Sequence, residues 1–164
     1  MPTREAKILL IIGGRGSGKT YFLEHRCRKD DTIVIEYFKT ERWKGYKKYF
    51  FNDLQSGKVS IKELGNSTIV FEDATAYISS NMANYMKRLI VNSKQVGSDV
   101  IIVFHSLNIV PPFLWYLINN IVIFNCAKPK KNSQNTDYYN EIMQKWKKLQ
   151  HAKQYSYEEI QTQI

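Results

Sequence analysis

The stretch 13–20 reads Gly-Gly-Arg-Gly-Ser-Gly-Lys-Thr and follows directly on the apolar run 8–12. This is the G-x-x-x-x-G-K-[ST] pattern in the strand-to-helix context it requires, and it constrains the fold more than any other feature of the chain. Its glycines let the backbone fold so that successive N–H groups point at phosphate oxygens. Lys19 is placed to reach the β and γ oxygens, and Thr20 to offer its hydroxyl to Mg2+. A helix opening at Gly18 adds the positive end of its dipole. Tyr21, Phe22, Glu24, His25, Arg26 and Cys27 follow without a breaker, so a helix is expected after the loop and a hairpin is not. The expected ligands are ATP and Mg2+, held by Gly13, Gly14, Arg15, Gly16, Ser17, Gly18, Lys19, Thr20 and Tyr21.

A chain of 164 residues is one domain by size and can bury about 70% of its unfolded surface. Residues 1–127 are expected to form a P-loop ATPase core. Residues 128–164 are expected to add a basic loop and a C-terminal helical tail of the same domain. The longest apolar runs fall far short of the ~18 residues of a membrane span, and the Met-Pro-Thr-Arg-Glu start carries no apolar leader segment. A cytoplasmic location follows as an expectation. Cys27 and Cys126 lack metal-type spacing and are expected to be reduced core thiols.

Twenty-four Lys and Arg against 15 Asp and Glu leave a formal charge of +9, which favours polyanionic partners. Lys39, Arg42, Lys44, Lys47 and Lys48 interleave with Trp43, Tyr46, Tyr49 and Phe50, a mixture suited to phosphate contact and base stacking. Lys128, Lys130 and Lys131, and then Lys145, Lys147 and Lys148, form later basic groups that serve equally well as a solvated face.

Apolar runs at 8–12, 32–37, 68–71, 100–104 and 121–124 read as strands. Most are continuous rather than alternating, as in a parallel sheet covered on both faces. Helices are expected at 20–29, at 81–93 (Met82, Tyr85, Met86, Leu89 and Ile90 at helical spacing), after Pro111-Pro112, and at 138–150. The fold class is α/β: a three-layer P-loop NTPase with a mainly parallel central sheet flanked by helices. Residues 128–137 read as a mobile loop, and the tail beyond 150 as poorly ordered.

A triphosphate site needs an acidic element at a second strand end. Ile69-Val70-Phe71-Glu72-Asp73 supplies one of Walker B form, with the usual Asp-Glu order reversed. Position assigns Glu72 to the metal and Asp73 to water activation, with an exchange of roles left open by the longer Glu side chain. The metal set is thus Thr20, Glu72 and Asp73. The strand 100–104 ends in His105, where ATPases with an extra strand beside the nucleotide strand carry a polar residue facing the γ-phosphate.

The order of these elements (cradle, strand 32–37, Glu72-Asp73, amphipathic helix, Gly97-Ser98-Asp99, and a strand ending in His105) resembles the FtsK/HerA superfamily of DNA-pumping ATPases. It is most similar to their small viral genome-packaging members and to zonular-occludens-toxin-like ATPases, over roughly residues 7–126. The resemblance implies that this P-loop core is of the ASCE type, and a homo-oligomeric ring of five or six subunits threading double-stranded DNA, with a viral portal or shell protein as a further partner. It also implies an arginine finger from a neighbouring subunit, often at the end of the helix after Walker B, where this chain has Lys94 and, earlier, Arg88. The catalytic set is accordingly Lys19, Glu72, Asp73, His105 and Lys94.

The function expected is an ATP-hydrolysing DNA translocase or packaging motor subunit. Two alternatives are a nucleoside or nucleotide kinase-like phosphotransferase, which would want an arginine-rich lid, and an assembly factor that binds ATP as a structural ligand.

Overall fold

A computed structural model describes residues 5–77, 80–135 and 137–162, with the side chains of residues 77 and 80–83 outside the description. Residues 1–4, read above for a leader, and the Met82 side chain therefore lie outside the described residues. Seven strands form one sheet in the order β3-β2-β4-β5-β1-β6-β7. They are β1 (Ile8–Ile12), β2 (Thr32–Glu36), β3 (Lys47–Phe50), β4 (Thr68–Phe71), β5 (Asp99–Phe104), β6 (Asn120–Phe124) and β7 (Tyr157–Gln161). All neighbours pair in parallel except β6 and β7.

The continuous apolar runs become central strands because both sheet faces are covered. On β1, Ile8, Leu10 and Ile12 enter one core, and Ile11 enters the other. The larger core takes Met86, Leu89 and Ile90 from helix α3 (Ser80–Gln95), together with Ile142 and Leu149 from helix α4 (Tyr139–Gln150). The smaller takes Leu23 from helix α1 (Lys19–Arg26) and, from the loop between β2 and β3, Trp43 and Tyr46. Each fully buried Ile, Leu or Phe contributes ~1.5–3 kcal/mol of transfer free energy, so the two cores fix the register.

Register decides which strand ends meet. Ile12 of β1 lies beside Phe104 of β5, and Phe71 of β4 beside Ile102 of β5. The three strands thus end at one sheet edge, and Gly13, Glu72 and His105 follow those ends.

The structure departs from the expectations at both sheet margins. Lys47–Phe50, the end of the 39–50 stretch expected to meet polyanions, is an edge strand that the sequence reading did not foresee, and its exposed lysine suits an edge that must not pair further. The tail expected to be poorly ordered contains β7, whose Ile160 is fully buried in the larger core. The loop expected to be mobile is tied down: the Asn135 side chain donates to Lys130 O and accepts from Asn132 N, and Asn108 bonds Lys128 and Lys130. Both cysteines are free, and burial pushes each thiol up to about 11.

Candidate active site

The cradle opens at the end of β1. Gly13 N–H donates to Phe104 O at 3.1 Å and Gly14 N–H to Asn125 O at 2.9 Å, which anchors the loop to β5 and to the end of β6. Gly13 has no room for a side chain: a Cβ there would lie 2.5 Å from Ser17 Oγ and 2.7 Å from Phe124 Cβ. Gly16 and Gly18 turn the loop through left-handed φ values of 70° and 99°, and Gly18 is the N-cap of α1.

Lys19 is buried, and its Nζ donates to the carbonyls of Gly13 at 2.6 Å and Gly14 at 2.8 Å. Burial pulls its pKa below the usual lysine range, opposed by the nearby carboxylates of Glu72 and Asp73. A cation so desolvated is primed to meet anionic oxygen.

Thr20 Oγ1 donates to Glu72 Oε1 at 3.2 Å, linking cradle and second acidic element across β5. Glu72 is buried, and desolvation raises its pKa against hydrogen bonds from Trp43 and Thr20 and the charges of Arg42 and Lys19. Asp73 takes a left-handed φ of 49° and turns the other way, its Oδ1 lying 3.0 Å from His105 Nε2. That approach is of ion-pair distance but lacks hydrogen-bond geometry. Asp73 Oδ1 and His105 Nδ1 are both buried atoms without a hydrogen-bond partner among the described residues. Orphaned polar atoms of this kind cost free energy and mark a place where a polar ligand or water belongs.

Hard oxygen donors suit Mg2+, which takes only one or two protein oxygens and keeps water or phosphate elsewhere. The Thr20 hydroxyl and the Glu72 carboxylate, with Asp73 adjacent, provide this. Among the described residues no cluster of three or more His, Cys, Asp and Glu could enclose a metal alone.

A cavity of about 650 Å³ is lined by Gly16, Ser17, Gly18, Lys19, Thr20, Tyr21, Glu24, Arg42 and Tyr155. Tyr21 is exposed there, its ring 4.0 Å from that of His25. Arg15 is exposed and lines a neighbouring cleft with Asn125 and Lys153. The structure therefore brings the expected site residues together except Arg15, which faces that neighbouring cleft, and Lys94. That residue closes α3, about 24 Å long, near Asn66 and Gly97 at the opposite sheet edge.

Sequence reading missed Trp43 as a site residue and misplaced its neighbours. Trp43 and Tyr46 are buried, with rings edge-to-face at 5.0 Å, so neither is available to stack on a nucleobase. The Trp43 indole donates to Glu72 Oε2 at 2.8 Å, and its backbone N–H to Glu24 Oε1 at 2.7 Å. Lys48 turns inward to Glu36 at 3.5 Å. Tyr155, in the tail, was not foreseen either. The sequence signal for Trp43 was its place in an alternation of basic and aromatic residues, which reads equally well as exposed.

No family model matches the chain, and no curated protein does. Solved structures do. The genome packaging NTPase B204 from Sulfolobus turreted icosahedral virus 2, in complex with ATP-gammaS, is 16% identical with a TM-score of 0.65, over 96% of this chain and 93% of that one. B204, the DNA-packaging ATPase of Sulfolobus turreted icosahedral virus, is 15% identical with a TM-score of 0.62, over 94% and 92%. The N-terminal domain of zonular occludens toxin from Neisseria meningitidis is 12% identical with a TM-score of 0.51, over 84% and 91%. At these identities the likeness is one of fold. The chain has the α/β fold of a P-loop NTPase, the fold expected from the order of its motifs. Among the described residues no helix is long and apolar enough to cross a membrane.

Proposed function

We infer that the chain is an ATP-hydrolysing subunit of a DNA translocase or packaging motor, coupling MgATP hydrolysis to movement of double-stranded DNA. One observation carries the ATPase reading: a buried lysine, a Thr20–Glu72 pair and an Asp73–His105 pair converge from three adjacent strands on one sheet edge. The packaging reading draws support from the likeness in fold to B204 and from the net charge of +9.

The cradle amides from Gly13 to Thr20 bind the phosphates, and Tyr21 borders the nucleotide. Lys19 exchanges its bonds to Gly13 and Gly14 for β and γ oxygens. Thr20 and Glu72, with Asp73 beside them, would hold Mg2+, whose charge offsets that of the β and γ phosphates. Asp73 accepts a proton from the attacking water, and His105 hydrogen-bonds the γ-phosphate or that water. The exposed Lys39, Lys44 and Lys47 meet DNA phosphates. Motor action on DNA further calls for a homo-oligomeric ring of five or six subunits and a portal or shell partner, in the cytoplasm or on a virion. Lys94 has no place in its own subunit's site and would act only on a neighbour's nucleotide.

The test is ATP turnover with and without duplex DNA. DNA-stimulated hydrolysis that Lys19→Ala lowers about 10²-fold or more supports the motor. Phosphate transfer to a nucleoside would support a kinase instead, and nucleotide binding without turnover an assembly factor.

A further inference from the structure

A motor ATPase needs a cation against the charge that develops on the transferred phosphoryl group. Lys94, the sequence candidate, ends α3 at the far sheet edge. Arg42 instead lies at the cavity: its Nη1 donates to Thr20 Oγ1 at 3.3 Å, and it lines the same cavity as Ser17 and Lys19. Among the described residues no carboxylate lies within ion-pair distance of its guanidinium, whereas the neighbouring Lys48 is drawn to Glu36. Its backbone is held on both sides. Arg42 O accepts from Lys48 Nζ, and the next residue, Trp43, is buried at a left-handed φ of 59° with its N–H on Glu24 and its indole on Glu72. A tryptophan kept in that conformation marks a loop whose surroundings over-determine it, which is characteristic of functional sites.

We propose that Arg42 is a catalytic residue of its own subunit's site, binding the γ-phosphoryl oxygens during hydrolysis. This rests on the ATPase reading above. As the water oxygen bonds to Pγ, the bond from Pγ to the β–γ bridging oxygen breaks and its electron pair leaves with ADP. The water proton passes to Asp73, and inorganic phosphate is released. Charge grows on the bridging and equatorial oxygens, and the planar guanidinium can meet two of them at once.

The experiment compares wild type, R42A and R42K in ATP turnover, and in equilibrium binding of ADP with and without aluminium fluoride, an analogue of the transferring group. Thermal unfolding serves as the folding control. R42A is expected to lose about 10²–10³-fold in kcat while KM moves less than about threefold, and R42K to recover only part. The tighter binding that aluminium fluoride confers on ADP should shrink by a similar factor in R42A, with binding of ADP alone preserved. Mixing R42A with Lys19→Ala chains should restore nothing; recovery would put Arg42 in a neighbour's site and overturn the assignment. Wild-type kcat in R42A, or equal weakening of ADP with and without the fluoride, overturns it as well. A wild-type chain that neither binds ATPγS nor hydrolyses ATP overturns the ATPase reading itself, and this proposal with it.

Discussion

The indole N–H of Trp43 donates to Glu72 Oε2 at 2.8 Å, so a residue of the β2–β3 loop fixes the carboxylate at the end of β4. Trp43→Phe keeps most of the buried ring and removes the donor. The expected cost is ~1–3 kcal/mol in denaturant unfolding, the usual consequence of taking one partner from a buried polar pair. Unchanged stability would mean that the bond adds nothing to the fold.

Glu72 makes stability depend on pH in an unusual direction for a carboxylate. Burial holds its folded pKa above the unfolded value, so the folded chain binds the proton more tightly. Its favourable contribution is present below the ordinary carboxylate range and is lost as pH rises through the folded pKa. Glu72→Gln can keep both neighbours, with its carbonyl toward Trp43 and its amide toward the Thr20 hydroxyl. We expect this variant to hydrolyse no ATP yet to melt higher than wild type at pH 7.5, the gap closing toward pH 4. A gap that widens on acidification would contradict the assignment.

Two cradle glycines separate space from backbone conformation. Gly13→Ala places a methyl 2.5 Å from Ser17 Oγ and 2.7 Å from Phe124 Cβ. It should cost ~1–3 kcal/mol by overpacking and weaken ATPγS binding at least about tenfold. Gly16→Ala meets nothing within 4 Å and bears only the strain of φ 70°, about 1–2 kcal/mol, with less effect on binding. Isothermal titration of both variants checks the order.

The lysines of the β2–β3 region divide by where they point. Replacing the exposed Lys39, Lys44 and Lys47 with Ala should flatten the salt dependence of duplex binding by about one logarithmic unit of slope per lysine in contact. Lys48→Ala should leave that slope alone and instead cost ~1–3 kcal/mol of stability, because Glu36 is 2% exposed and loses its cation. Filter binding across a salt series, beside thermal melts, separates the two classes.

Removing residues 151–164 takes away β7 and uncovers the outer edge of β6. The shortened chain should melt lower and aggregate on concentration, since an unprotected strand of Ile121, Val122 and Ile123 is a template for pairing. Light scattering at matched concentrations reads this directly.

Much of the site was legible because its chemistry is local. The cradle is contiguous, and Glu72 and His105 stand at the ends of apolar runs whose burial on two faces suppresses alternation. β7 was illegible for the opposite reason: Tyr-Glu-Glu-Ile-Gln offers one buried residue, Ile160, in a polar strand. The 39–50 segment misled because basic and aromatic residues in alternation do not reveal which way the aromatics face. Trp43 and Tyr46 face the core, and only the packing of α1 against the sheet makes room for them there.

Residue type and spacing along the chain therefore determined the glycine-rich loop after β1, the pair of acids after β4 and the parallel α/β class, since each depends on contacts within a few residues or on burial averaged along a strand. Tertiary structure alone decided which cation stands at the cavity, because Arg42 and Thr20 are 22 residues apart and meet only when β2 crosses to its place in the sheet. It likewise placed Lys94 at the far edge, where the direction of α3 carries it whatever its own chemistry could do.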